Sequence, residues 1–209
     1  MDEQNGALLR LGGVEKRYGQ RRVLRNISLD VVPGEVVVVT GENGSGKSTL
    51  LKIVAGLLRP TKGEVTISGE KEAAHRRFLV GYAGPDLHLY TELTAHENLA
   101  FYYQVRTGAM ETREQREQRL LVVGLGGRGD DLLATYSSGM RQRMRLAFAT
   151  GHDVPLLLLD EPSLALDSKG VALVGDIIAR QREKGGATLL ATNDAREATL
   201  GDRAVALGA

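Results

Sequence analysis

At 209 residues the chain has room for one sizeable domain built on a buried multi-stranded sheet. Its 27 lysines and arginines against 26 acids leave a net charge of +1, which carries no overall footprint of nucleic-acid binding. With no cysteine, disulfides and thiolate metal sites are excluded, which suits a reducing compartment. The start, Met1-Asp2-Glu3-Gln4-Asn5, is polar and lacks the apolar stretch of a signal peptide. No apolar run approaches the ~18 residues that cross a bilayer, so any membrane role is expected to run through a partner.

Residues 8–14 and 22–32 read as two strands joined by a tight turn at Tyr18-Gly19. An aromatic ring there can stack on a purine base, although a lone tyrosine is more often a packing residue. Pro33-Gly34 then opens the β-branched run 35–40, a buried strand. It feeds Gly41-Glu42-Asn43-Gly44-Ser45-Gly46-Lys47-Ser48, the spacing G-x-x-x-x-G-K-S, and then Thr49 to Gly56, apolar at helical spacing and closed by glycine.

Strand, glycine-rich loop and helix together make an anion site. The glycines let successive backbone N–H groups converge on phosphate oxygens, and the helix N-terminus adds its positive dipole end. Lys47 can reach the β- and γ-phosphates of a nucleoside triphosphate, and the Ser48 hydroxyl can ligate Mg²⁺.

Beyond a turn at 59–63 come a short strand at 64–67 and another at 78–83, which ends in the breakers Gly84-Pro85-Asp86. The middle of the chain then changes character. Thr94 with Glu97 makes a capping box for a helix carrying Leu99, Phe101, Tyr102 and Val105. Residues 112–123 read as a second helix, and the run Glu111, Arg113, Glu114, Arg116, Glu117, Arg119 is expected to be a solvated face. A glycine-rich linker at 124–129 precedes a third helix beginning near Ser138. With no strand signal between Pro85 and Ala149, this stretch reads as a helical insertion in an α/β chain.

Four leucines, 156–159, then form a strand ending in Asp160-Glu161-Pro162, followed by a helix from 169 to about 183. A buried strand at 188–192, a short helix at 194–200 and a last strand at 204–207 complete a mainly parallel sheet covered on both faces. Its C-terminal edge is the expected ligand crevice. There Asp160 is expected to hold Mg²⁺ opposite Ser48, and Glu161 to polarise or deprotonate a water aimed at the γ-phosphate.

The order of these motifs, with Tyr136-Ser137-Ser138-Gly139-Met140 between them and Ser163-Leu164-Ala165-Leu166-Asp167 after them, resembles the nucleotide-binding subunit of an ABC transporter over nearly the whole chain. The resemblance implies a P-loop NTPase fold with an N-terminal antiparallel β subdomain. Residues 1–85 and 150–209 would form the α/β core, and about 86–149 the helical subdomain. It implies ATP and Mg²⁺ as ligands, Tyr18 as the adenine-stacking ring, Gly41 to Thr49 around the phosphates, and Ser48 and Asp160 on the metal. Glu161, Lys47 and Asn193 would carry the chemistry. Ser137, Gly139 and the D-loop Asp167 would act across a head-to-tail dimer. The implied partners are membrane permease subunits, placing the chain in the cytoplasm at the inner face of the membrane.

Two departures stand out. The family usually carries a glutamine where this chain reads Tyr82-Ala83-Gly84-Pro85-Asp86, and a histidine where it has Asn193. An amide can donate a hydrogen bond to phosphate but carries no positive charge near neutrality. Binding is expected to survive both changes, with slow turnover. The stretch 81–103 is also similar to compact subunits serving haem export for cytochrome c maturation. His96 on that helix is expected to be a surface or packing residue rather than a haem ligand. The rival readings are a nucleotide-gated dimerising module with little hydrolysis, a soluble relative acting in DNA repair or on ribosomes, and a P-loop kinase.

Overall fold

The computed structural model describes residues 6–208. Two strands, β1 (Leu9–Tyr18) and β2 (Arg21–Val31), form an antiparallel hairpin, and β3 (Val36–Thr40) leads into α1 (Lys47–Val54). Next come β4 (Lys62–Ile67), the one-turn α2 (Ala73–Arg76) and β5 (Val80–Ala83). Three helices follow, α3 (Ala95–Thr107), α4 (Arg113–Val122) and α5 (Ser138–Ala149). The chain closes with β6 (Leu156–Asp160), α6 (Ser168–Glu183), β7 (Ala187–Ala191), α7 (Ala195–Ala198) and β8 (Arg203–Ala206).

Five strands form one parallel sheet in the order β5-β6-β7-β3-β8, and β2-β1-β4 form a second, antiparallel one. The continuous apolar strands are explained by burial on both faces. Val37, Val39, Leu156 and Leu158 pack toward α1 and the small sheet, whereas Val36, Val38, Leu157 and Leu159 pack toward α5 and α6. Removing a leucine from such a doubly covered strand costs about 2–5 kcal/mol. The parallel register brings Thr40, Asp160 and Ala191 to one edge, where three loops leave together.

The first two helices of the insertion start with complete capping boxes, Thr94 with Glu97 and Thr112 with Gln115. Two expectations need correction. The strand expected from Phe78 begins at Val80, because Phe78 and Leu79 close the turn after α2 with backbone bonds to His75 and Arg76. The charged run around α4 is not a uniformly solvated face. Glu111 is buried and bound to Arg119 at 2.7 Å, and Glu117 reaches the buried His96 at 3.4 Å. The inward face of α4 carries Leu120 into the apolar cluster shared with the sheet, and Glu117 and Arg119 meet His96 and Glu111 beside it, so His96 is a packing residue.

Candidate functional site

The glycine-rich loop crosses the edge where β3 ends and α1 begins. Gly41 (φ 142°) lies so close to the Leu207 carbonyl and Ser45 that a β-carbon there would come within 2.6 and 2.7 Å of them. Gly46 (φ 108°) is packed against Val23 and Leu24 and caps α1 without any side-chain acceptor. The first-turn N–H groups of α1 are thus left for a ligand.

Lys47 is 6% exposed, and its Nζ donates to the carbonyls of Gly41 (2.7 Å) and Glu42 (3.3 Å) and to Asn193 Oδ1 (2.9 Å). Asn193 Nδ2 in turn donates to Asn43 Oδ1 at 2.6 Å. Glu161 Oε1 stands 4.0 Å from the same ammonium. A cavity of about 430 Å³ opens over this group, lined by Tyr18, Asn43, Gly44, Gly46, Lys47, Ser48, Thr49 and Glu161, with Arg21 and Val23 from β2. Tyr18, half exposed at the end of β1, forms its outer rim.

Asp160 ends β6 fully buried, with neither carboxylate oxygen hydrogen-bonded. Burial pushes its pKa up, against the pull of the Ser48 hydroxyl, and the nearby Asp86 adds to the upward push while Lys52 and Lys47 oppose it. An orphaned carboxylate beside a serine hydroxyl at a phosphate loop is a hard-oxygen donor set that fits a divalent cation such as Mg²⁺. Glu161 is held in a left-handed backbone conformation (φ 49°), which swings its side chain from the strand end into the cavity. Its pKa is also raised, first by burial, while the Asn193 N–H and Lys47 pull it down.

Several positioning groups were not legible in the sequence. Gln142 of α5 donates to the Pro162 carbonyl at 3.0 Å, and the buried Glu197 accepts the Ser163 N–H at 2.8 Å, so the Glu161-Pro162 turn is gripped from both sides. Where the family's usual glutamine is absent, Tyr82 donates to Asp86 at 2.6 Å and Lys52 pairs with the same carboxylate at 3.1 Å. Gly84 is required there, because the Tyr82 hydroxyl fills the space a β-carbon would take.

Ser137, Gly139 and Asp167 do not line this cavity. Ser137 caps α5 by accepting the Met140 N–H, and Gly139 lies against the Ala165 carbonyl. Asp167 accepts the Gly170 N–H at the start of α6 and pairs loosely with Arg143 at 3.6 Å.

Residues 24–164 match a family model described as ABC transporter. The chain belongs to the ABC transporter family. This ABC chain is 38% identical over 194 residues to an uncharacterised ABC transporter ATP-binding protein of Bacillus subtilis, covering 91% of the chain and 62% of the relative. It is 36% identical to a cytochrome c biogenesis ATP-binding export protein of Haemophilus influenzae, covering 88% of each. Relatives also include an aliphatic sulfonates import ATP-binding protein of Xanthomonas axonopodis, 40% identical over 97% of the chain and 68% of the relative. The chain spans about three fifths of the length of the first two curated relatives it matches (62% and 58%). Among solved structures, the dimeric, post-hydrolysis ATP-binding cassette MJ0796 bound to ADP and Pi superposes with a TM-score of 0.87 at 29% identity, over 95% of this chain and 94% of that one. The fold is therefore that of an ABC ATPase cassette. No helix among the described residues is long and apolar enough to cross a membrane.

Proposed function

We propose that this chain binds and hydrolyses ATP to power an ABC membrane transporter of the exporter type. The observation that carries the reading is the single cavity joining Tyr18, the phosphate loop and Glu161, with the orphan carboxylate of Asp160 buried at the neighbouring strand end. In it Tyr18 stacks on adenine, and Gly41 to Thr49 with Lys47 hold the phosphates. Ser48 and Asp160 hold Mg²⁺, which supplies charge neutralisation when bound. Glu161 takes a proton from, or orients, the attacking water, and Asn193 donates to a phosphate oxygen.

Ser137, Gly139 and Asp167 serve the nucleotide held by a second subunit in a head-to-tail dimer, which is consistent with their absence from the lining of this chain's own cavity. The permease docks in the apolar groove of about 380 Å³ lined by Leu57, Phe78, Val80, Tyr82, Leu87 and Val105, where Leu57, Phe78 and Val105 are exposed. The chain then lies at the inner face of the membrane through that partner. The likeness to an export protein at 88% mutual coverage supports outward transport.

The test is Mg²⁺-dependent ATP turnover by the purified chain beside Glu161→Gln. Turnover in the wild type that is abolished in the variant supports the reading. Binding without turnover in either, persisting when the permease is added, favours the nucleotide-gated module. The neutral Asn193 at Lys47 is the observation on that side.

A further inference from the structure

The overall charge balance hides a concentrated cationic segment. Residues 16–25 contain Lys16, Arg17, Arg21, Arg22 and Arg25 and no acid, so the rest of the chain is net acidic. Among the described residues, none of these four arginines lies within ion-pair distance of a carboxylate. In the hairpin register Arg21 stands directly across from Tyr18, and Arg22 across from Arg17. Arg21 lines the nucleotide cavity, and its Nη2 lies 3.7 Å from where a β-carbon on Gly44 would stand, at the crest of the phosphate loop. A neighbouring cavity of about 290 Å³ on the far side of Gly44 is lined by Arg21 again, with Arg22 and Arg25.

The charges at the site make this placement consequential. Of the residues lining the nucleotide cavity only Lys47 and Arg21 are cations, while Glu161 lines it and Asp160 lies beneath. Asn193, bonded to Lys47, brings no charge. Arg21 aside, a nucleoside triphosphate therefore meets a site in which one lysine is offset by two carboxylates, and a bound divalent cation only partly corrects the deficit. A guanidinium with no acidic partner is free to turn toward phosphate, and its planar fork suits two phosphate oxygens at once.

We propose that Arg21 is a nucleotide-binding residue that meets the phosphate chain from the β1–β2 hairpin and favours triphosphate over diphosphate. Arg22 and Arg25 make no contact with the nucleotide and act by steering the polyanion to the loop. The inference rests on the ATP site proposed above. The added phosphate of ATP is one more negative charge for an otherwise unpaired cation, so ATP gains more than ADP from Arg21.

The test is equilibrium titration of the full chain with fluorescent ATP and ADP analogues, which needs no turnover. Wild type, Arg21→Ala, Arg21→Lys and the Arg22→Ala/Arg25→Ala double variant are compared with Lys47→Ala, with circular dichroism to check folding. Arg21→Ala is expected to weaken ATP on the order of tenfold and ADP less than about threefold, with Arg21→Lys in between. The double variant is expected to slow ATP association at low salt and leave dissociation unchanged. Unchanged ATP and ADP affinities in folded Arg21→Ala, with binding lost in Lys47→Ala, would overturn the proposal while leaving the ATP site standing. Equal weakening of ATP and ADP would overturn the preference for triphosphate. A wild type that binds neither nucleotide would instead sink the ATP reading itself.

Discussion

The side chain of Asn193 accepts a 2.9 Å hydrogen bond from Lys47, and its amide donates at 2.6 Å to Asn43, so one neutral residue ties both ends of the phosphate loop. With the Gly41 and Glu42 carbonyls, it occupies the three donors of the Lys47 ammonium. A phosphate must take over those bonds, and Asn193 can then return a hydrogen bond but no charge. Charged contacts to a developing transition state are worth on the order of a hundred-fold in rate. Asn193→His is therefore expected to raise kcat for Mg·ATP by roughly tenfold or more, with ATP affinity little changed. Steady-state turnover at saturating ATP decides it. An unaltered kcat means that the missing imidazole does not limit the reaction.

Glu161 combines a strained backbone, partial burial and a raised pKa in the cavity. A base must be ionised to accept a proton, so turnover is expected to fall with pH at values above the usual carboxylate range. Glu161→Gln keeps the shape and removes the charge. It is expected to cost at least about a hundred-fold in kcat, to abolish that acid limb, and to preserve ATP binding. A pH–rate profile of both proteins gives the comparison.

Tyr18 sits half exposed at the cavity rim with Lys16 5.1 Å from its ring centre. Exposure of an aromatic ring beside a phosphate loop is unfavourable until a base covers it. Base–aromatic stacking is worth about 1–3 kcal/mol on alanine substitution, so Tyr18→Ala is expected to raise the Kd for ATP by about 5-fold to 150-fold. Tyr18→Phe should bind nearly as wild type. Competition with a non-adenine triphosphate checks the source of the loss, because contacts to phosphate are common to both.

How far the sequence carried the structure follows from what each signal reports. The spacing from Gly41 to Ser48 reports a local conformation, and the four leucines before Asp160 report burial on both faces. Both were legible because backbone and periodicity fix them. The partners of Glu161 were not legible, since Gln142 and Glu197 arrive from helices separated from it in sequence. The clasp of Tyr82, Asp86 and Lys52 was hidden for the same reason. Glu111 was misread because charge in a run of residues reports composition, whereas burial depends on which residues turn toward the packed interior.

Asp160 makes the empty site less stable than the liganded one. Its folded-state pKa is raised by burial, so the native state holds the proton more tightly than the unfolded chain does. The stability this contributes is present at low pH and is lost as pH rises from the ordinary aspartate value through the raised one. Asp160→Asn removes the ionisation. It is expected to raise the nucleotide-free Tm at pH 7 by roughly 2–4 °C, about 1 kcal/mol for a chain this long. The gain should shrink toward pH 4, and Mg²⁺ should no longer add to the stability conferred by ATP. Thermal melts of the two proteins across pH isolate this residue, because the other carboxylates are common to both.

Glu111 and Arg119 form the one pair in the insertion in which both charges are largely withdrawn from water, with side chains 2% and 14% exposed among the described residues. Burial raises the Glu111 pKa and lowers that of Arg119, so desolvation outweighs the attraction each receives. Such a pair contributes little net stability, yet breaking it strands a charge. Glu111→Ala is expected to cost about 3–5 kcal/mol, since Arg119 then keeps a buried, unpaired guanidinium beside Tyr103. The double replacement Glu111→Leu/Arg119→Met removes both charges at similar volume and is expected to recover most of that loss. Urea unfolding of the two variants and the wild type measures it. A single variant as stable as wild type would mean that water reaches Arg119 and that the pair is not truly buried.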